Sequence, residues 1–149
     1  MISVGIYGAS GYTGARLIYY LSRHKDVELI FATSRQDKGK KVYDLYGNLR
    51  NICNLSYTDP EEIKDIDVDV LFSCAPDQTS MKIVPDYLER GTSIIDLAGD
   101  YRMDSGEEYE KWYGEPHVSP DYIKKAVYGL TEINREKIKN AKLIANPGC

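Results

Sequence analysis

The amino-acid sequence predicts an α/β fold built on a doubly wound, mainly parallel sheet. Short apolar runs alternate with longer amphipathic segments, and a glycine-rich stretch joins the first run to the first such segment. The composition is that of a globular chain, with 42% hydrophobic and 28% charged residues, which excludes disorder as a whole-chain description. At 149 residues the chain has the length of one domain. A domain of that size buries roughly 68 to 70 per cent of the surface its unfolded chain exposes.

Ile2–Tyr7 reads as the first strand. Residues 12–24 place Leu17, Ile18 and Leu21 at helical spacing, and Val27–Ala32 is β-rich again. Strand, helix and strand within about 30 residues make one βαβ unit. Residues 68–73 and 93–97 are further buried-strand candidates, with a helix over residues 80–90 between them and Gly91 as its stop. A last helix near residues 134–140 leads into a strand over 142–145 and then Asn146-Pro147-Gly148-Cys149. Residues 104–128, rich in Glu, Tyr and Pro, have the weakest periodicity and are expected to form an irregular excursion. No repeat, low-complexity tract or Pro/Gly-rich linker divides the chain, so one domain is the simplest expectation.

The 19 basic and 23 acidic residues give a net charge of −4, and the basic ones are scattered, which argues against a nucleic-acid partner. No run approaches the roughly 18 to 20 apolar residues of a membrane helix, and the N-terminus enters a strand without a basic leader. A soluble, cytoplasmic protein with no membrane partner is expected. The three cysteines, Cys53, Cys74 and Cys149, have neither CxxC spacing nor an even count, and the two histidines, His24 and His117, stand apart from them. Neither a disulfide framework nor a metal site is expected. Cys53 and Cys74 read as packed thiols.

Gly8-Ala9-Ser10-Gly11-Tyr12-Thr13-Gly14 follows the first strand and opens the first helix. In that context the pattern is a dinucleotide-binding loop of the Rossmann-like kind. Gly8 turns the chain off the strand, Gly11 lets the backbone approach a pyrophosphate, and Gly14 allows close packing of the helix. The helix N-terminus then offers free N–H groups and a partial positive charge. Gly8, Ser10, Gly11, Tyr12, Thr13 and Gly14 are the expected phosphate contacts; a ligand-free glycine turn is the alternative.

An acidic residue at the end of the second strand would take the ribose 2′-OH of NAD. This strand ends Ala32-Thr33-Ser34-Arg35 instead, where Ser34 can donate a hydrogen bond and Arg35 can pair with a 2′-phosphate. NADP is therefore favoured, with a solvated loop arginine as the alternative for Arg35. Cys149 follows a predicted strand and should emerge at the sheet's carboxyl edge. A thiolate there facing a nicotinamide suggests acyl-phosphate or aldehyde redox chemistry, and on spacing alone a structural thiol stays equally open.

Taken together, these motifs resemble the N-acetyl-gamma-glutamyl-phosphate reductase family of arginine synthesis and its relative that reduces aminoadipyl phosphate in lysine synthesis. The resemblance spans the whole chain. It rests on the glycine loop with Tyr12-Thr13, on Thr33-Ser34-Arg35 with Gly39-Lys40, on Asp96-Leu97-Ala98-Gly99-Asp100-Tyr101-Arg102, on Tyr128-Gly129-Leu130-Thr131-Glu132, and on Asn146-Pro147-Gly148-Cys149. The sequence departs from the family pattern at Asp77, Thr131 and Ala98-Gly99. Asn48-Leu49-Arg50 and residues 124–129 look more like archaeal members, some of which act on substrates tethered to an acidic carrier protein.

The resemblance implies that Cys149 is the nucleophile, that NADP is the cofactor, and that Ala75 and Pro76 add cofactor contacts. It implies a small acyl-phosphate substrate, free or carrier-linked. Asp100, Arg102 and Glu132 are the charged residues expected to line the site, Arg102 being able to hold a carboxylate or phosphate through a bidentate fork, with a structural ion pair as the equal alternative. Family members continue past the cysteine into a second domain that supplies the acid/base histidine and the oligomer interface, so the complete protein is expected to be a homo-oligomer and this chain alone inactive. Neither His24 nor His117 takes the place of that histidine by motif order. Aspartate-semialdehyde dehydrogenase is the nearby enzyme alternative, and a non-catalytic NADP-binding module is the other.

Overall fold

The computed structural model of the chain describes residues 1–148; the expected nucleophile, Cys149, lies outside the described residues. The chain forms two compact units, Met1–Cys74 and Ala75–Cys149.

In the first unit, β1 (Ile2–Tyr7) leads through α1 (Tyr12–Leu21) to β2 (Val27–Ala32), followed by the short α2 (Val42–Leu45) and then β3 (Val70–Ser73). The strands are parallel in the order β2-β1-β3, with Ile6 opposite Ala32 on one side and Phe72 on the other. Parallel strands need both faces covered, which is why β1 reads as a nearly continuous apolar run. Val4, Ile6, Phe31, Ala32 and Leu71 are all buried. Ile18 of α1, Val42 of α2, Leu49, Cys53 and Tyr57 pack against this sheet. Cys53 is the buried packed thiol expected, and Cys74, partly exposed, packs against the same core.

The strand order has a consequence for binding. β1 is flanked by β2 on one side and β3 on the other, the arrangement of a topological switch point, where α/β sheets take ligands beyond the carboxyl ends of their strands. At that edge the Cys74 N–H donates to the Tyr7 carbonyl at 2.8 Å. The chains leaving β1 and β3 therefore start side by side.

In this unit two boundaries differ from expectation. Helix α1 stops at Leu21 rather than at residue 24, because the polar, exposed Arg23 and His24 close tight turns through Arg23 N–H to Tyr20 and His24 N–H to Leu21. Strand β3 begins at Val70 rather than at residue 68, since Asp69 is held by Ser3: its Oδ2 accepts from the Ser3 N–H and hydroxyl, both at 2.7 Å.

The second unit carries α3 (Ser80–Glu89), β4 (Ser93–Asp96), α4 (Gly106–Tyr113), α5 (Pro120–Ile123), β5 (Ala126–Tyr128), α6 (Thr131–Lys139) and β6 (Leu143–Ala145). Its strands are parallel, with β6 between β4 and β5. Ile94, Leu143 and Ala145 are fully buried on the sheet, and Met81, Val84 and Tyr87 form the buried stripe of α3. The last helix starts at Thr131, earlier than expected, and β4 ends at Asp96, whose carboxylate turns back to accept the Ala98 N–H at 3.2 Å.

The expected irregular excursion over residues 104–128 is overturned: it contains α4, α5 and β5. Its periodicity is weak because α4 buries only Tyr109. Caps define this helix instead. The Ser105 hydroxyl accepts from the Glu108 N–H, the Glu108 carboxylate accepts from the Asp104 N–H, and Gly114 closes the helix in a left-handed conformation.

Candidate functional site

The glycine loop is built from the end of β1 and pinned to the end of β2. Gly8 has φ of 76°, a conformation that L side chains rarely adopt. Its N–H donates to Thr33 Oγ1 at 2.9 Å, and the Ala9 N–H donates to the Thr33 carbonyl at 2.7 Å. A Cβ on Gly14 would overlap the Ala9 carbonyl oxygen, so this glycine lets α1 close against the loop it follows. Gly11 is different. Its φ of −80° suits any residue, and a Cβ there would meet no atom of the described residues within 4 Å. Neither backbone conformation nor packing requires a glycine at this position.

What Gly11 faces is the N-terminus of α1. No side chain caps that end and no acidic residue stands in its first turn, and Gly11, Tyr12 and Thr13 are exposed. The first N–H groups of a helix left without protein acceptors are an anion site. The loop thus fits a dinucleotide pyrophosphate, with Gly11 clearing its approach.

Ser34 is buried beside the loop, its Oγ 2.9 Å from Ser10 Oγ and 3.4 Å from Asp37 Oδ2, so its one proton serves either acceptor. Arg35 is exposed, its guanidinium 3.9 Å from Glu61 across solvent. An exposed pair at that distance contributes little and leaves Arg35 able to exchange partners. Tyr46 donates from its hydroxyl to the Ser10 carbonyl at 2.8 Å, and the exposed Tyr12 ring stands edge-on to it, centroids 6.4 Å apart. The Thr33-Ser34-Arg35 motif contains Thr33 without revealing this role, and Tyr46, 36 residues from Ser10, carries no local signal at all.

In the second unit the carboxyl ends of β4 and β6 are joined by one side chain. Arg102 donates from Nε to the Asn146 carbonyl at 2.8 Å and from Nη2 to the Leu97 carbonyl at 2.7 Å. A Cβ on Gly148 would lie 2.7 Å from Arg102 Nη1. The residue before Cys149 therefore runs directly against a guanidinium fixed by two carbonyls.

Asp100 is fully buried with its carboxylate engaged: Oδ1 accepts from the Gln78 N–H at 2.8 Å and the Tyr109 hydroxyl at 2.9 Å, and Oδ2 accepts from the Met81 N–H at 2.9 Å. It anchors the start of α3. Asp77 accepts the Gly99 N–H at 2.8 Å, tying the same two segments. Ala75 is buried and Pro76 exposed just beyond β3, and Glu132 is exposed in the first turn of α6, where its charge suits the helix dipole.

Asp96 is fully buried. Burial pushes its carboxyl up to about 6, against the Ser80 hydroxyl and Ala98 N–H that favour the anion. Ser80 Oγ donates to its Oδ1 at 2.5 Å, while Oδ2 has no hydrogen-bond partner among the described residues. His117 is buried edge-on to Tyr101 and Tyr109, accepts the Ser119 N–H at Nδ1, and is held below the usual histidine pKa chiefly by that burial. Its surroundings are those of a packed ring.

Residues 3–141 match the protein family described as semialdehyde dehydrogenase, NAD binding domain. The chain is 52% identical over 148 residues to an N-acetyl-gamma-glutamyl-phosphate reductase of Methanosphaera stadtmanae, covering 99% of this chain and 42% of that protein. It is 46% identical to the enzyme of the same name from Nitrosospira multiformis, covering 100% and 44%. The chain thus spans about two-fifths of the length of these relatives. Among solved structures, aspartate semialdehyde dehydrogenase II of Vibrio cholerae superposes with a TM-score of 0.68 at 24% identity, covering all of this chain and 42% of that one. Aspartate semialdehyde dehydrogenase of Candida albicans, solved with NADP, gives 0.59 at 18% identity over 98% of this chain and 42% of its own length. These likenesses place the fold in the Rossmann-like α/β class.

Proposed function

The chain belongs to the semialdehyde dehydrogenase NAD-binding domain family, and from that premise we propose that it is the nucleotide-binding part of an NADPH-dependent N-acetyl-gamma-glutamyl-phosphate reductase. The observation that carries this reading is Gly11: a glycine without conformational or packing need, at the uncapped start of α1. At the end of β2, Arg35 fits a phosphorylated ribose as an exchangeable cation, while the buried Ser34, its proton shared between Ser10 and Asp37, ties that strand end to the glycine loop. NADPH supplies the hydride when bound. The names of the relatives support the acyl-phosphate substrate, and the scattered cysteines suit a reducing cytoplasm.

In this reading the Cys149 thiolate attacks the acyl carbon, the carbon–oxygen bond to phosphate breaks, and phosphate leaves with its electron pair. A thioester remains on Cys149. After hydride reaches its carbonyl carbon, the resulting alkoxide collapses, the carbon–sulfur bond breaks, and the semialdehyde leaves as the thiolate is restored. Arg102 holds the segment before Cys149 through the carbonyls of Asn146 and Leu97. Its third nitrogen, Nη1, beside Gly148, is the group available to a substrate phosphate or carboxylate. Asp100 contributes by fixing α3 against the loop that carries Arg102, and Glu132 is assigned to the substrate side.

The test is phosphate-dependent reduction of NADP by N-acetylglutamate semialdehyde, measured on the full-length protein. Activity should require phosphate and fall at least about a thousandfold in Cys149→Ala. Turnover that persists without Cys149 would reject the covalent route. Turnover confined to a carrier-linked substrate would move the assignment to the aminoadipyl or glutamyl carrier reaction.

A further inference from the structure

We infer that the Asp37–Lys40 ion pair sets the choice between the two dinucleotides, Lys40 neutralising a carboxylate that would otherwise repel a 2′-phosphate. This rests on the nucleotide-binding reading above and names the residues that tune it. A carboxylate just past the second strand is what selects NAD in this class of fold. None stands at Thr33, Ser34 or Arg35, but the turn that follows brings one back. The Asp37 N–H donates to Ser34 Oγ at 3.1 Å, and Asp37 Oδ2 lies 3.4 Å from the same oxygen, which is itself 2.9 Å from Ser10 Oγ in the glycine loop. The carboxylate is therefore one hydroxyl away from the loop assigned to the phosphates.

The Asp37 side chain is only 13% exposed, so water screens its charge poorly. Its cation is Lys40, whose Nζ lies 2.9 Å from Oδ1. The other basic residues of the turn face elsewhere: Arg35 faces Glu61, and Lys38 pairs with Glu62 and Asp59. Lys40 is 55% exposed on its side chain, so replacing it removes charge without opening the core. Without Lys40, an unneutralised carboxylate would stand where the end of β2 presents Ser34 and Arg35. That arrangement repels a phosphorylated ribose and accepts a ribose hydroxyl.

The experiment titrates NADP and NAD by calorimetry into the full-length protein and its Lys40→Gln, Asp37→Asn and doubly substituted variants, with melting curves to confirm folding. Lys40→Gln should weaken NADP binding about tenfold, as expected for exposing one charge at short range, while NAD changes less than about threefold. The double variant should recover most of the lost NADP affinity, because removing Asp37 removes the need for its counter-ion. An unchanged NADP-to-NAD ratio in Lys40→Gln overturns the inference. So does a double variant as weak as the single one, which would make Lys40 a direct phosphate contact. Failure of the unsubstituted protein to prefer NADP would instead reject the cofactor assignment on which the inference stands.

Discussion

Gly148→Ala should destabilise the protein only while Arg102 is present. The backbone at Gly148 is not in the left-handed region, so alanine carries no conformational penalty there. The added Cβ would lie 2.7 Å from Arg102 Nη1 and 3.3 Å from its Cζ. An unrestrained arginine would swing aside. This one donates to the carbonyls of Asn146 and Leu97 at 2.8 and 2.7 Å, so yielding means losing at least one charge-assisted bond. Such bonds contribute about 1.5 to 3 kcal/mol each, less where water reaches them, and Arg102 is half-buried. Gly148→Ala should then cost about 1 to 2 kcal/mol, and Arg102→Ala, which loses both bonds, about 3 kcal/mol. In the Arg102→Ala background, Gly148→Ala should cost less than about 0.5 kcal/mol, giving a coupling of about 1 to 2 kcal/mol. Urea unfolding of the four proteins measures it. Additive effects, with Gly148→Ala equally harmful in both backgrounds, would refute the clamp.

Asp96→Asn should change how stability depends on pH. With its folded carboxyl near 6, above the unfolded value, the native state binds more protons between about pH 4 and 6, so stability from this group falls as pH rises through that window. The amide keeps an acceptor for Ser80 and Ala98 but sets its N–H2 at the unpartnered Oδ2 position, which offsets part of the relief, so the variant should gain about 1 kcal/mol above pH 7 relative to its standing at pH 4 and show a flatter profile between them; a variant whose stability depends on pH as steeply as the parent's would contradict the burial cost. Thr33→Val removes the acceptor of the Gly8 N–H while keeping shape. It should cost about 1 to 2 kcal/mol and raise the dissociation constant for NADP severalfold, and an unchanged affinity would separate that hydrogen bond from nucleotide binding.

The first βαβ unit was legible in the sequence because its signals are local. Ile2–Tyr7 and Val27–Ala32 have the predicted bounds, and the glycine loop sits between strand and helix. Helix α4 was missed because hydrophobic periodicity is blind to a helix that buries one residue, although Ser105, Glu108 and Gly114 spell its caps in the chain. Contacts across long separations were not legible at all. Nothing local links Asp100 to the N–H groups of Gln78 and Met81, 22 and 19 residues away. The sequence shows an arginine at position 102; only the fold shows that two of its nitrogens are committed to backbone carbonyls. Asp37 was passed over for a related reason: in sequence it lies beyond the strand end, and the turn returns it to Ser34.

The most direct test of the central claim is the affinity of Gly11→Ala for NADP, measured by calorimetry in the full-length protein. The substitution meets no atom of the described residues and fits the backbone, so unfolding should shift by less than about 1 kcal/mol, the scale of a changed N-cap residue. If the start of α1 holds the pyrophosphate, the methyl group intrudes on the ligand alone, and affinity should fall at least about tenfold with the fold intact. A Gly11→Ala protein that binds NADP as tightly as the parent would place the phosphates elsewhere and contradict the account.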